Sequence, residues 1–164
     1  MRILVFIIAF AFTLFNLLYG QTDTLDRGEE VREMAEVTTV GIATGLHINK
    51  YPMIEVGYFK HTTFEFPMTF GGSYTVETYF IEDLIIAPKL NYWVNVLFIN
   101  AGISVPWYFN FQGENSVKIR PEIGFGFKNF KINYAINVSL TNKNMAYIGK
   151  NFLSLNYYFG LKEK

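Results

Sequence analysis

Apolar and polar residues alternate along most of this chain, most regularly between residues 117 and 140. Over 117–127 the odd positions are Val117, Ile119, Pro121, Ile123, Phe125 and Phe127, and the even positions are Lys118, Arg120, Glu122, Gly124 and Gly126. After Lys128-Asn129 the pattern resumes: Phe130, Ile132, Tyr134, Ile136, Val138 and Leu140 alternate with Lys131, Asn133, Ala135, Asn137 and Ser139. Side chains on a strand point to alternate sides. The stretch therefore predicts a β-hairpin with one apolar face and one small, polar or charged face.

The same alternation, broken by turn signals, runs through eight segments. From Val37 the alternation predicts strands over 37–48, 51–61, 73–81, 84–94, 97–109, 117–127, 130–140 and 151–161. Residues 62–72, with Pro67, Gly71 and Gly72, read as a long link, and a tight turn is expected near Asn95. Residues 110–116 and 141–150 read as polar loops. The fold class this predicts is all-β, an eight-stranded antiparallel β-barrel. Pro88 and Pro121 fall inside strands but cannot donate a ladder hydrogen bond, so each is expected at a bulge or near a rim. If both termini lie on the periplasmic side, a long second link and short first and third links are the reverse of the usual loop pattern.

Composition bears on which face is outside. Of 164 residues, 51% are hydrophobic and 18% aromatic, but only 17% are charged, against roughly 25% in soluble domains. The polar face carries Glu55, Glu77, Lys89, Lys118, Arg120, Glu122 and Lys131, with His47 and His61, and is otherwise rich in Gly and Ala. That is too little charge for a water-facing surface, while small residues suit a crowded barrel interior. The apolar face carries one clear charge, Lys60. The expectation is a transmembrane barrel, with apolar residues in lipid and polar residues in the lumen. A soluble periplasmic barrel binding a small apolar ligand is the inverted alternative.

Residues 1–20, with Arg2 followed by a nearly unbroken apolar run, are expected to be a signal peptide, with Gln21 the new N-terminus. Residues 21–36 form an acidic periplasmic leader, and residues 37–164 the outer-membrane barrel. There is no cysteine, hence no disulfide, thiolate nucleophile or thiolate metal site. Zero formal net charge gives no electrostatic case for nucleic acid.

The run Arg120-Pro121-Glu122-Ile123-Gly124-Phe125-Gly126-Phe127, the run from Phe130 to Asn137, Thr141-Asn142-Lys143, Ala87-Pro88-Lys89 and the aromatic last strand resemble a group of small outer-membrane β-barrel proteins of Bacteroidota. More distantly, the layout resembles the eight-stranded barrels of the outer-membrane protein A and X types. The resemblance implies a fold and a place, the bacterial outer membrane, and no activity. It implies outer-membrane lipid and the barrel-assembly machinery as partners.

The lumen charges are the candidate site. Arg120 and Glu122 point the same way on one strand, Lys131 lies on the paired strand, Glu77 and Lys89 share a hairpin, and Glu55 lies one strand back. Ions in a narrow lumen are costly unless paired. Glu55, Glu77, Lys89, Lys118, Arg120, Glu122 and Lys131 are therefore expected to form an internal ion network that plugs the barrel. His47 and His61 read as structural or rim histidines. No Ser/His/Asp spacing and no metal-ligand spacing is apparent. The expected role is structural or surface-binding, with no catalysis, metal or cofactor. A barrel enzyme acting on lipid is kept as an alternative.

Overall fold

The structure, a computed structural model, describes residues 37–64, 68–80, 84–127, 129–141, 145 and 148–163. The signal peptide and leader expected over 1–36 lie outside the described residues. The strands are β1 (Val37–Ile48), β2 (Met53–Thr63), β3 (Met68–Phe80), β4 (Leu84–Val96), β5 (Ile99–Asn110), β6 (Asn115–Phe127), β7 (Phe130–Ile136), β8 (Val138–Ser139) and β9 (Asn151–Glu163). From β1 to β7 each strand pairs antiparallel with the next, β8 pairs with β6, β7 pairs with β9, and β9 pairs back onto β1, which closes the sheet. The pairs Lys118–Ser139 on β8 and Glu122–Ala135 on β7 follow a single register. β7 and β8 are thus one barrel strand interrupted at Asn137, and the fold is a closed eight-stranded antiparallel β-barrel.

The registers fix its geometry. Paired residues lead from Thr38 to Thr62, Phe70, Val94, Ala101, Ile123, Tyr134, Leu153 and back onto β1 at Ile48. The circuit returns ten residues further along β1 than it began. With eight strands, that stagger tilts the strands roughly 40° from the axis. An eight-stranded interior at this tilt is narrow enough for side chains to fill.

Alternation decides what fills it. On β4 the buried residues are Ile85, Ala87, Lys89, Asn91, Trp93 and Asn95; their neighbours Leu90, Tyr92 and Val94 are exposed. On β6, Ser116, Lys118, Arg120 and Glu122 are buried, while Ile123, Phe125 and Phe127 are exposed. The barrel is inside-out relative to an ordinary domain: Arg120 is its largest fully buried side chain.

Several sequence expectations are corrected. The expected link over 62–72 is only four residues long, 64–67, because β2 continues to Thr63 and β3 starts at Met68. Gly71 and Gly72 lie inside β3 opposite His61 and Lys60. Gly71 is there for close packing, not for a turn: a Cβ would lie 2.5 Å from the His61 Cβ and 2.8 Å from the Trp93 ring. Asn95 does not turn either. The turn is Leu97-Phe98, with Val96 opposite Ile99 and Leu97 at a φ of 58°. Thus β2–β3, β4–β5 and β6–β7 connect through 64–67, 97–98 and 128–129 at the end where β1 begins, here the entry end. The longest connection, 140–150, lies at the far end. The long second link is therefore gone, while the first and third links, 49–52 and 81–83, are short as expected.

Pro88 and Pro121 lie mid-strand without bulges. The β4–β5 ladder skips Ala87 and Pro88 and resumes in the same register. The β6 partner strand is interrupted at Asn137, beside the position facing Pro121. Pro106, inside β5, leaves a similar gap against β6. Each proline removes a donor, and the ladder opens locally rather than slipping. A register shift lies elsewhere, between Val40 and Gly41 on the β1–β9 pair.

Candidate functional site

The lumen is built in three layers. Nearest the entry end, Phe59, Trp93 and Tyr158 stack around the axis. Phe59 meets Tyr158 edge-on at 5.0 Å, and Trp93 lies 5.1 Å from Tyr158. Lys131 reaches into this group, with Nζ 3.3 Å from the Trp93 ring centroid and 4.6 Å from that of Tyr158. Its Nζ also donates to Tyr158 Oη at 3.4 Å. The ring faces supply the negative potential that a carboxylate would otherwise provide.

The middle layer holds the ions, and the registers explain why they meet. β2 and β3 place Glu55 directly opposite Glu77, a like-charge pair that cannot stand alone. Lys89 Nζ lies between them, 2.7 Å from Glu55 Oε2 and 2.8 Å from Glu77 Oε1. Arg120 grips Glu77 with both ends of its fork, Nη1 to Oε1 at 2.6 Å and Nη2 to Oε2 at 2.9 Å. Two further donors reach Asn137 Oδ1 at 2.9 Å and the Tyr108 hydroxyl. The break in the seventh strand thus falls at a residue whose side chain joins the ion layer, and whose backbone N–H donates to the Lys150 carbonyl at 2.7 Å on the β9 side.

His47 completes the cluster. Its Nε2 lies 2.5 Å from Glu55 Oε2 and 3.4 Å from Glu77 Oε1, and its Nδ1 lies 2.7 Å from Ser154 Oγ. A ring nitrogen facing two carboxylates carries the proton and donates it. Asn156 donates to Glu55 at 3.2 Å. Gly45, beside this group, has room for no side chain: a Cβ would sit 2.5 Å from Asn156 Nδ2 and 3.0 Å from Glu55 Oε2. Two carboxylates face the Lys89 ammonium and the Arg120 guanidinium, and the neighbouring polar groups take up further hydrogen-bonding positions.

At the far end, Met53, Tyr79, Ile85, Ala87, Tyr108 and Phe152 form a buried apolar layer that includes Met145 and Ile148 from the 140–150 connection. Lys118 lies just beneath, donating to the Met145 carbonyl at 3.3 Å with its Nζ 5.6 Å from the Tyr108 ring centroid.

The seven expected network residues therefore divide. Glu55, Glu77, Lys89 and Arg120 come together. Glu122 instead accepts from Ser104 at 2.9 Å and Asn133 at 3.3 Å. Lys118 and Lys131 make no ion pair among the described residues. His47 joins the cluster at its centre, not at a rim. Tyr108, Asn137, Ser154 and Asn156 were not singled out from sequence. His47 and Ser154 are 107 residues apart in sequence, and only the β1–β9 closure pairs them.

Two kinds of chemistry are suggested by this arrangement and blocked by it. Ser154, His47 and Glu55 line up as hydroxyl, imidazole and carboxylate, the order of a nucleophilic triad. Ser154 and His47 are completely buried, however, and Glu55 is already held by Lys89. His47, Glu55 and Glu77 also bring three potential metal-ligand atoms within 4.8 Å of one another. Lys89 Nζ bonds the two carboxylates there, supplying the positive charge a cation would bring.

Comparison of the chain with protein-family models, with curated proteins and with solved structures finds no match in any of the three. The class this fold defines is the closed eight-stranded antiparallel β-barrel with a filled, charged lumen.

Proposed function

We propose that this chain is an exported outer-membrane barrel of the small Bacteroidota type, plugged by its own side chains, with a structural or surface-binding role and no catalysis. Its outer wall lies in lipid, it relies on the barrel-assembly machinery for insertion, and it takes no cofactor. One observation carries this reading. Exposed side chains on the strand walls include Ile42, Leu46, Ile54, Val56, Tyr74, Leu90, Tyr92, Ile103, Ile123, Phe125, Ile132 and Leu153, whereas Glu55, Glu77, Lys89, Lys118, Arg120, Glu122 and Lys131 are buried. Water would favour the reverse; a bilayer favours this order. Strands of 11–13 residues at this tilt rise roughly 25–33 Å, enough to span the apolar band.

A soluble carrier of an apolar ligand fits less well, because its ligand would have to displace paired ions. A lipid-modifying enzyme draws support from the Ser154–His47–Glu55 alignment, but a substrate carbonyl cannot approach a sealed hydroxyl. Heat-modifiable gel migration after refolding into vesicles, with no stable open conductance in single-channel recordings, is the expected result. A chain that remains soluble after refolding, or stable ion-selective openings, would overturn the reading. Lipid-modification assays comparing wild type with Ser154→Ala test the enzyme reading: activity lost in the variant would establish it.

A further inference from the structure

The outer wall is not apolar throughout. Among the described strand residues, two charged side chains lie on its outward side, Lys60 on β2 and Lys162 on β9, and both are exposed. They are neighbours. Val40 on β1 pairs with Lys60 on one side and Lys162 on the other. Residues paired across a ladder share a face, and Val40 lies on the outward face, between the inward Thr39 and Gly41. The three residues therefore form one outward row across three adjacent strands at the entry end. Two strand spacings separate the lysines, about 10 Å between Cα atoms, a gap that two lysine side chains close over one anion.

The barrel's register shift produces this row. Gly41 faces Gly160, but Val40 faces Lys162, so Leu161 is an extra residue in β9. Without that bulge, Leu161 would sit opposite Val40 and Lys162 would turn inward opposite Thr39. Bulges commonly re-aim a side chain in this way. Neither lysine has an ion pair among the described residues. Thr38 and Thr62 lie one row nearer the barrel end, their hydroxyls 3.1 Å apart. Exposed Ile42, Tyr58 and Phe159 flank the row on the other side.

We propose that Lys60 and Lys162 form a binding site for the phosphate headgroup of one anionic phospholipid, in the leaflet that meets the entry end. The inference rests on the membrane reading above. Charge on a lipid-facing wall is costly unless it reaches the interface and finds a counter-charge. A phosphodiester supplies that charge between two ammonium groups, and its acyl chains lie along the apolar wall beside it. That wall favours a phospholipid over free phosphate.

The test uses the full chain refolded in detergent and offered equal dioleoylphosphatidylglycerol and dioleoylphosphatidylcholine, with retained lipid read by native mass spectrometry. One phosphatidylglycerol is expected to be retained in preference to phosphatidylcholine, undisturbed by millimolar inorganic phosphate. Lys60→Gln with Lys162→Gln should cut that retention at least about tenfold, the loss of roughly 1.4 kcal/mol or more. Lys50→Gln, at the far end, should leave it unchanged. Equal retention of both lipids, full retention by the double variant, or displacement by phosphate would overturn the proposal. Heat-modifiable migration separates the two levels. A barrel that inserts into vesicles without discriminating between lipids defeats the headgroup site alone, whereas a chain that does not insert defeats the membrane reading and the site together.

Discussion

Two regions of one lumen bury cations by different means. In the middle layer, Lys89 and Arg120 are held by Glu55 and Glu77, with Arg120 bidentate and His47 closing the group. Near the entry end, Lys131 is equally buried but rests on the faces of Trp93 and Tyr158. The ion layer is the more brittle of the two. An ion network depends on every member, because removing one partner leaves an opposite charge buried and unpaired. An aromatic seat depends on surfaces that remain well packed when the cation is replaced by an apolar chain of similar shape.

That contrast can be broken experimentally. The largest effect is expected from Glu77→Ala, which strips Arg120 of both carboxylate bonds and leaves Lys89 only Glu55. The loss should be about 3–5 kcal/mol, read as a lower urea midpoint for loss of the folded gel band in vesicles. Adding Arg120→Met to Glu77→Leu should recover part of that loss, because the pair is then removed together. Glu122→Ala should cost less, about 1–3 kcal/mol, since Glu122 accepts from the neutral Ser104 and Asn133. Leu97→Asn should stabilise by about 1 kcal/mol, because Leu97 holds a left-handed φ that asparagine tolerates better. Lys131→Met should change stability least, by under about 1 kcal/mol in either direction. If Lys131→Met proved as damaging as Glu77→Ala, the two regions would not differ as described.

Much of the barrel was legible from period two alone. The Val117–Leu140 pattern placed β6 and its partner strand, and the inward set Lys118, Arg120, Glu122 and Lys131 is buried as alternation requires. What failed was local punctuation. Gly71 and Gly72 read as loop because glycine usually marks turns, yet Gly71 sits in β3 to let His61 and Trp93 approach. Asn95 read as a turn, but its side chain points into the lumen and accepts from Asn100 at 2.5 Å. Which ions meet was less legible than which face they share. Alternation gives a side chain's direction, but height in the barrel depends on stagger, accumulated strand by strand. That stagger puts Glu77 with Arg120 and leaves Glu122, two residues along the same strand, with Ser104 and Asn133. It also brings His47 to Ser154 through closure of the first strand on the last.

The central claim is that the apolar face meets lipid while the charged face is sealed within. The chain has no native cysteine, so single cysteines at Ile119, Ile123 and Tyr134 can carry nitroxide labels in vesicles without further engineering. Collision with oxygen, which concentrates in hydrocarbon, and with a water-soluble nickel chelate then reports the solvent at each site by electron paramagnetic resonance. Strong oxygen and weak nickel broadening are expected at all three positions. Strong nickel broadening at Ile123 and Tyr134 in the inserted, heat-modifiable protein would contradict the central claim.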